Sequence, residues 1–196
     1  MKRKIVKQQT IVKTALKLFS SQGFHQTSIE DIARALGISV GTVYNYFSSK
    51  QALAQESLGY VAQRLTLELQ HINYIPASTQ EKIHAFVEVY FRLMREEPET
   101  LEYFSRVYLT NRKLFCSTEE RCVLDYAQAF IYEVRTMINN GVHEGVLRER
   151  DFCVAFALII GTLGAVNFLR GERMLEHELE SYEEEISDTL YQALSH

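Results

Sequence analysis

Residues 27–53 read TSIEDIARALGISVGTVYNYFSSKQAL, a stretch in which capping residues and a glycine mark out two short helices. Thr27 followed by Glu30 is a capping-box pattern, which predicts the start of the first helix. Gly37 is expected to end this helix, because glycine readily adopts the left-handed conformation found there. Ser39 predicts the cap of a second helix only two residues later. Two helices joined this tightly are typical of a helix-turn-helix unit.

The second of these helices, predicted over residues 40–47, has two unlike faces. At about 100° per residue, Val43 and Phe47 point the same way and are expected to face the core. The opposite face is small and polar, so it can approach base edges while the tyrosine hydroxyls beside it reach phosphates. A solvated helix with two surface tyrosines is the alternative interpretation. The predicted DNA-facing residues of this helix are Gly41, Thr42, Tyr44, Asn45 and Tyr46.

Upstream of this stretch, apolar residues recur at helical spacing between lysines and predict an amphipathic helix ending near Gly23. Two serines before Lys50 are expected to cap the helix that follows the unit. Residues 1–50 carry a net charge of +6, whereas residues 51–196 carry −10. A basic head on an acidic body indicates different partners for the two parts, and phosphate is the candidate partner of the head. A merely solvated charged tail is the alternative.

The amino-acid composition favours a helical fold over an all-β fold. The 196 residues are 46% apolar and 23% charged, which is typical of a folded globular chain. Two prolines and nine glycines are too few for the frequent turns of an all-β protein. Three cysteines do not form a disulfide framework, and the basic N-terminal sequence has no apolar run of a secretory signal. We therefore predict an all-α cytoplasmic protein of about nine helices.

Residues 27–53 resemble the DNA-binding domain of the TetR (tetracycline-repressor) family, and ALKLFSSQGF at residues 15–24 fits the same pattern. The motifs that carry the resemblance, L-F-x-x-x-G-F and G-x-S-x-G-T-x-Y-x-Y-F, fall within residues 8–55. The resemblance implies a homodimeric transcriptional regulator, usually a repressor, that a small ligand releases from a near-palindromic double-stranded operator. It further implies a helix-turn-helix domain at residues 1–50 and a ligand-binding and dimerisation domain at residues 51–196.

The resemblance also assigns roles to residues of the head. Thr27 would hold a phosphate at the start of its helix, where the helix dipole favours an anion. Asn45 stands at a variable position of the motif and is the candidate for reading a base, since an amide pairs well with adenine. Tyr46 and Lys50 would bind the phosphate backbone. The predicted DNA-binding residues are Thr27, Ser39, Val40, Gly41, Thr42, Tyr44, Asn45, Tyr46 and Lys50.

The body, residues 51–196, has the pattern of helices throughout. Pro98 falls at a helix boundary, where proline is tolerated. Ser117 with Glu120 predicts a further capping box, and Gly141 is expected to end the helix that follows it. The predicted helices cover residues 50–71, 78–96, 98–110, 118–140, 151–170 and 173–195.

Residues 152–169 form an uncharged, mostly apolar run. Its length is at the lower limit for a membrane span, but no second span or flanking basic cluster accompanies it, so we expect no membrane contact. A helix that is apolar on all sides is most easily buried here by a second subunit, with the last helix completing half of a four-helix bundle. The predicted dimer interface comprises Phe156, Ile160, Gly161, Gly164, Ala165, Phe168, Leu179, Tyr182 and Ile186.

Aromatic side chains are concentrated in the middle of the body and together suit a mostly apolar effector pocket, although each one alone is more typical of ordinary core. The absence of a glycine-rich phosphate loop favours an apolar or aromatic effector over a phosphorylated one. The predicted pocket residues are Phe86, Tyr90, Met94, Phe104, Tyr108, Cys122 and Tyr126.

The sequence contains no recognisable catalytic, cofactor or metal motif, so we expect no enzyme activity, no cofactor and no metal. Two alternatives to a ligand-responsive repressor stay open at this point. One is a DNA-bound adaptor of the same fold whose body recruits a protein, which an exposed apolar patch would favour. The other is a small helical enzyme, which would require a cluster of catalytic groups that the sequence does not indicate.

Overall fold

The computed structural model describes residues 2–115 and 122–195, apart from the side chains of residues 2–6, 105, 112, 114 and 122–126. Every regular element in these ranges is helical, so the prediction of an all-α fold is confirmed. The α-helices are α1 (Lys2–Gln22), α2 (Ile29–Leu36), α3 (Val40–Tyr44), α4 (Lys50–Tyr74), α5 (Thr79–Glu96), α6 (Pro98–Tyr103), α7 (Arg112–Phe115), α8 (Cys122–His143), α9 (Phe152–Gly171) and α10 (Glu183–Ser195). Shorter turns are π-helical at Phe104–Tyr108 and 3-10 at Leu109–Asn111 and Leu179–Tyr182.

The chain divides into two compact units. The first comprises Met1–Gln63 with Pro98–Ala127, and the second comprises Arg64–Glu97 with Gln128–His196. Helix α4 contributes its beginning to the first unit and its remainder to the second. The predicted boundary between a DNA-binding domain at residues 1–50 and a ligand-binding domain at residues 51–196 concerns function, whereas the two units are defined by packing. That boundary therefore stays a prediction.

In the first unit, the apolar face of α1 packs against α2 and α6. Phe19 is fully buried, with its ring centroid 5.5 Å from that of Phe24 and 6.5 Å from that of Tyr103. The Tyr103 hydroxyl donates a hydrogen bond to the Ala54 carbonyl oxygen at 2.8 Å. Burial of these large rings is expected to stabilise the unit most, since each removes a large apolar area from water.

In the second unit, α5 packs against α10 and α9. The centre of its buried face is aromatic, and the Phe86 ring lies 6.2 Å from the ring of Phe130 on α8. The buried Glu133 carboxylate accepts hydrogen bonds from the side-chain amides of Gln70 at 3.0 Å and Asn73 at 2.9 Å. These donors compensate for the loss of water around the carboxylate and fix α8 against the second half of α4.

The predicted end of the helix over residues 118–140 is wrong. Helix α8 continues past Gly141 to His143, and the left-handed residue after it is Gly145, with φ of +71°. A Cβ on Gly141 would lie 2.6 Å from carbons of Leu147 and 2.7 Å from the Thr79 methyl, so this glycine serves close packing rather than helix termination.

The last helix is shorter than predicted. Residues 173–178 are not helical, and α10 begins only at Glu183, after the 3-10 turn. Arg173 adopts a left-handed φ of +57°, and this turns the chain away from the end of α9. Two of the predicted interface residues, Leu179 and Tyr182, therefore lie in the 3-10 turn rather than in a continuous helix. The predicted cap at Ser117 with Glu120 lies outside the described residues.

Candidate functional site

The N-cap of α2 is Ser28. Its hydroxyl oxygen accepts a hydrogen bond from the Asp31 backbone N–H at 3.1 Å, and the Asp31 carboxylate accepts one from the Ser28 backbone N–H at 3.0 Å. The hydrogen bonds from Ser28, with a smaller contribution from the charge of Arg34, lower the pKa of Asp31 below its usual value. The capping box predicted for Thr27 with Glu30 is therefore wrong by one residue.

Thr27 faces the interior of the head. Its fully buried hydroxyl donates to the Gly23 carbonyl oxygen at 2.9 Å, with the Leu18 carbonyl oxygen 3.3 Å away. Gly23 follows the last residue of α1 with φ of +91°, as the sequence predicts for a helix-ending glycine. Thr27 thus holds the turn between α1 and α2 together, and a phosphate contact through its hydroxyl would require this turn to open.

Helix α3 is capped as predicted but is shorter. The Ser39 hydroxyl oxygen accepts from the Thr42 backbone N–H at 3.2 Å and lies 2.8 Å from the Thr42 hydroxyl. The helix ends at Tyr44 rather than Phe47, and the Val43 carbonyl oxygen accepts from the backbone N–H groups of both Tyr46 and Phe47. Val43 and Phe47 are buried, which confirms the predicted inward face.

The outward face of α3 is small at its N-terminal end and aromatic at its C-terminal end. Gly41 and Asn45 are exposed, Tyr44 is 50% exposed, and Thr42 and Tyr46 are half-buried. The structure therefore places these five predicted residues within one short stretch of surface, with Ser39 exposed and Val40 half-buried at its start. Hydroxyl and amide groups of this kind suit contacts to both base edges and phosphates.

The ammonium of Lys50 binds groups of the protein itself. It donates to the carbonyl oxygens of Phe24 at 2.9 Å and Thr27 at 3.0 Å, and it lies 4.3 Å from the centroid of the Phe24 ring. Charge-assisted hydrogen bonds and a cation–π contact together fix the first residue of α4 to the turn between α1 and α2. We call these three contacts of the Lys50 ammonium the clasp. The predicted phosphate contact of Lys50 would compete with the clasp, and the sequence motif alone does not reveal these contacts.

Lys50→Met tests the clasp, because methionine keeps an apolar stem and loses the three N–H donors. We expect DNA affinity to fall roughly tenfold and the melting temperature to fall, with no change in the dependence of affinity on salt. Fluorescence anisotropy with labelled DNA at several salt concentrations measures both affinity and slope. Lys113→Met, at an exposed lysine of α7, is the control. A slope reduced by about one would instead identify Lys50 as a phosphate contact.

The exposed part of the predicted dimer interface lies on the outward side of α9. Ala155, Ile159 and Leu163 on the inner side are buried, whereas Val154 is 52% and Phe168 61% exposed. A shallow apolar groove follows the outer side, lined by Cys153, Val154, Ala157, Leu158, Gly161, Thr162 and Ala165. Within the part of the chain that the structure describes, α9 is also the one helix long and apolar enough to cross a membrane.

The predicted interface residues differ in exposure. Phe168 and the small residues of α9 are exposed, and the remaining ones are half-buried. The Tyr182 hydroxyl accepts hydrogen bonds from the backbone N–H groups of Glu176 at 3.2 Å and His177 at 3.1 Å, so it also organises the segment before α10. The exposed members are Gly161, Gly164, Ala165 and Phe168, and the half-buried ones are Phe156, Ile160, Leu179, Tyr182 and Ile186.

The predicted pocket residues are divided between the units. Phe86, Tyr90 and Met94 are buried on α5, and burial raises the pKa of Tyr90 to about 12, opposed in part by the charge of Arg170. Phe104 and Tyr108 lie in the π-helical turn of the first unit. The side chains of Cys122 and Tyr126 lie outside the described residues, so the pocket as a whole stays a prediction.

Residues 11–56 match the family described as bacterial regulatory proteins, tetR family. The fatty acid metabolism regulator protein of Bacillus subtilis (strain 168) is 23% identical over 168 residues, which cover 83% of this chain and 82% of that protein. The solved structure of the fatty acid degradation regulator FadR from Bacillus halodurans has a TM-score of 0.82 at 19% identity, covering 97% of each chain. FadR from Bacillus subtilis in complex with stearoyl-CoA has a TM-score of 0.77 at 17% identity, covering 95% of this chain and 98% of that one.

At these identities the structural likeness concerns the fold, whereas the family match falls on the residues that build the head. The matched stretch contains the glycine that ends α1, the capping serines of α2 and α3, and the outward face of α3. Residues 11–56 therefore carry the DNA-binding motif of the bacterial regulatory proteins of the TetR family, and the fold of the described residues agrees with that of the related regulators.

Proposed function

We propose that the protein is a homodimeric repressor that binds a near-palindromic operator and is released from it by a long-chain acyl compound. The observation that carries the dimer is the uncovered apolar side of α9. The side chains of Val154 and Phe168 are more than half exposed near the two ends of this helix, and leaving them in water is unfavourable.

The middle of the same side is built for close approach of a second helix. An added Cβ at Gly161 or Gly164 would meet no atom within 4 Å, and Ala165 beside them is also small and exposed. A second copy of α9 would cover this surface about a two-fold axis, the commonest symmetry of soluble oligomers. We favour this occupant over a membrane, because the other side of α9 is packed against α5 and α10.

A two-fold dimer carries two heads related by the same axis. Such a pair reads the same bases in opposite orientations, so its operator is a near-palindrome with half-sites about one or more helical turns apart. Regulation then works through occupancy of the operator, without a catalytic step.

The acyl effector is supported by the relatives and by the interior of the body. A similar sequence is a fatty acid metabolism regulator, and a similar structure holds stearoyl-CoA. Large aromatic side chains are buried in the body, and such apolar surroundings suit an acyl chain. Stearoyl-CoA also carries phosphates, so in this fold the absence of a glycine-rich loop does not argue against a phosphorylated effector.

Selection of DNA from a random library at two salt concentrations tests the regulator directly. We expect a near-palindromic consensus whose binding weakens steeply with salt, since several phosphates are neutralised by each dimer. Addition of stearoyl-CoA is then expected to release the selected DNA. A consensus without two-fold symmetry would contradict the dimer, and DNA that stays bound at saturating stearoyl-CoA would contradict the effector. A palindrome bound only together with a second protein would favour the adaptor.

The roles of Asn45 and Tyr46 are separable by two substitutions. Tyr46→Phe removes a phosphate hydrogen bond and is expected to weaken binding to all sequences alike, by about 3- to 10-fold. Asn45→Ala removes a base contact and is expected to relax the consensus at one position in each half-site, where discrimination falls by about 5- to 100-fold. Repeating the library selection with each variant measures both effects. Equal changes in sequence preference for the two variants would refute this division of roles.

A further inference from the structure

A π-helical turn interrupts the helix predicted over residues 98–110. The Leu109 backbone N–H bonds five residues back, to the Phe104 carbonyl oxygen. Two side chains also donate to carbonyl groups within this turn. The Thr110 hydroxyl donates to the Arg106 carbonyl oxygen at 2.7 Å, and the Asn111 amide donates to that of Val107 at 2.9 Å. The sequence thus stabilises this turn, and π-helical turns are frequent at functional sites.

The turn stacks the rings of Phe104 and Tyr108, and the tilted ring of Phe115 on α7 continues this aromatic row inward from the surface. Phe104 is 41% exposed, and its ring stacks on Tyr108 at a centroid distance of 5.0 Å with an interplanar angle of 16°. Tyr108 is only 1% exposed, and its ring lies 5.4 Å from that of the buried Phe115. Tyr108 is therefore a buried residue that is separated from solvent by one partly exposed ring.

The hydroxyl of Tyr108 is buried without a hydrogen-bond partner among the residues that the structure describes. Tyr103, one helical turn earlier, is equally buried, but its hydroxyl donates to the Ala54 carbonyl oxygen at 2.8 Å. A buried hydroxyl normally has a partner, because an unmade hydrogen bond costs free energy on burial. The two tyrosines are equally buried, but only the Tyr103 hydroxyl has a partner, which points to an external acceptor for Tyr108.

We propose that the Tyr108 hydroxyl donates a hydrogen bond to the acyl carbonyl oxygen of the effector, with the aromatic stack around it packing against the start of the acyl chain. This inference rests on the proposed function, since it names the contact that recognises an acyl compound. A phenol supplies one neutral donor, which suits either a thioester carbonyl or a free carboxylate. A single polar group in an apolar wall fixes the orientation of a mostly apolar ligand.

Tyr108→Phe and Tyr103→Phe form a matched pair that tests the contact, since each removes one buried hydroxyl and keeps the ring. Stearoyl-CoA and free stearate are titrated against both variants and the wild type, with intrinsic tyrosine fluorescence or calorimetry as the readout, and melting temperatures are measured without ligand. We expect Tyr108→Phe to bind the acyl compound about tenfold more weakly, with an unchanged or higher melting temperature, because it loses no partner within the protein. Tyr103→Phe is expected to melt several degrees lower, roughly 3–8 °C, and to bind the ligand as the wild type does.

The two ligands identify the acceptor. Binding of stearoyl-CoA alone assigns the thioester carbonyl, whereas comparable binding of stearate assigns the carboxylate. A wild type that binds stearoyl-CoA while Tyr108→Phe binds it equally well would overturn the inference and leave the proposed function standing. A clearly lower melting temperature of Tyr108→Phe would also overturn it, because the hydroxyl would then have a partner within the protein. A wild type that binds neither ligand would overturn the acyl effector and this contact together.

Discussion

Ala165→Glu is expected to convert the protein to a monomer and to weaken operator binding at least about a hundredfold. The outer side of α9 carries an apolar groove, and Ala165 is an exposed small residue that lines this groove. A carboxylate there would have to be buried against the partner's α9 without a counter-charge, which costs several kcal/mol per ion. Each 1.4 kcal/mol changes an equilibrium constant tenfold, so two such charges about a two-fold axis would abolish the dimer at ordinary concentrations.

Sedimentation or light scattering measures the oligomeric state, and anisotropy with the selected operator measures the affinity. Gln80→Glu adds the same charge at an exposed position of α5 and is the control, with expected wild-type behaviour in both assays. A dimeric Ala165→Glu protein would show that α9 is not the interface. A monomer that binds the operator at full affinity would show that one head suffices and that pairing of heads does not set the affinity.

Local chemistry predicts much of the head. Gly23 and Gly37 both have positive φ at the ends of their helices, and Ser39 caps α3, as the sequence indicates. The inward direction of Val43 and Phe47 follows from helical periodicity alone, since both are buried as predicted. These features depend on residues within about one turn of each other, so a single sequence contains enough information to place them.

The errors arise where tertiary contacts decide between equivalent local patterns. Thr27 and Ser28 are both good caps and each has an acidic residue three positions later, so the sequence offers two capping boxes. Burial of the Thr27 hydroxyl against the Gly23 carbonyl selects Ser28. Gly141 follows two asparagines, a pattern that is typical of a helix end. In the structure, however, its missing Cβ makes room for Leu147.

Two further features of the body have no periodic signal. Apolar residues continue at steps of three and four from Leu175 into α10, yet the left-handed Arg173 and the 3-10 turn delay that helix to Glu183. The π-helical turn depends on Thr110 and Asn111 bonding to carbonyl groups of the preceding turn, and helical hydrophobic spacing does not register such bonds.

The predicted role of Lys50 in the head follows from the family motif. Its observed partners are instead two carbonyl oxygens in the turn between α1 and α2.

Gly41→Leu is expected to abolish tight operator binding while leaving the protein as stable as the wild type. Gly41 lies exposed in the first turn of α3, and an added Cβ would meet only the Ser39 hydroxyl oxygen, at an unstrained 3.9 Å. Leucine also forms helices better than glycine, so the free energy of unfolding is expected to rise by roughly 0.5 kcal/mol. Toward DNA, the same side chain would fill the space through which the α3 backbone approaches the base edges.

The expected loss of affinity is at least about a hundredfold, because the leucine would hold the Asn45 and Tyr46 side chains away from their partners all at once. Thermal unfolding and anisotropy with the selected operator measure the two quantities on the same samples. Gly41→Ala separates the effect of side-chain bulk from the effect of backbone freedom, because alanine favours a helix but adds only one methyl group. Its affinity for the operator should fall by less than about tenfold. A stable Gly41→Leu protein with wild-type affinity would mean that the outward face of α3 is not the surface that lies in the groove.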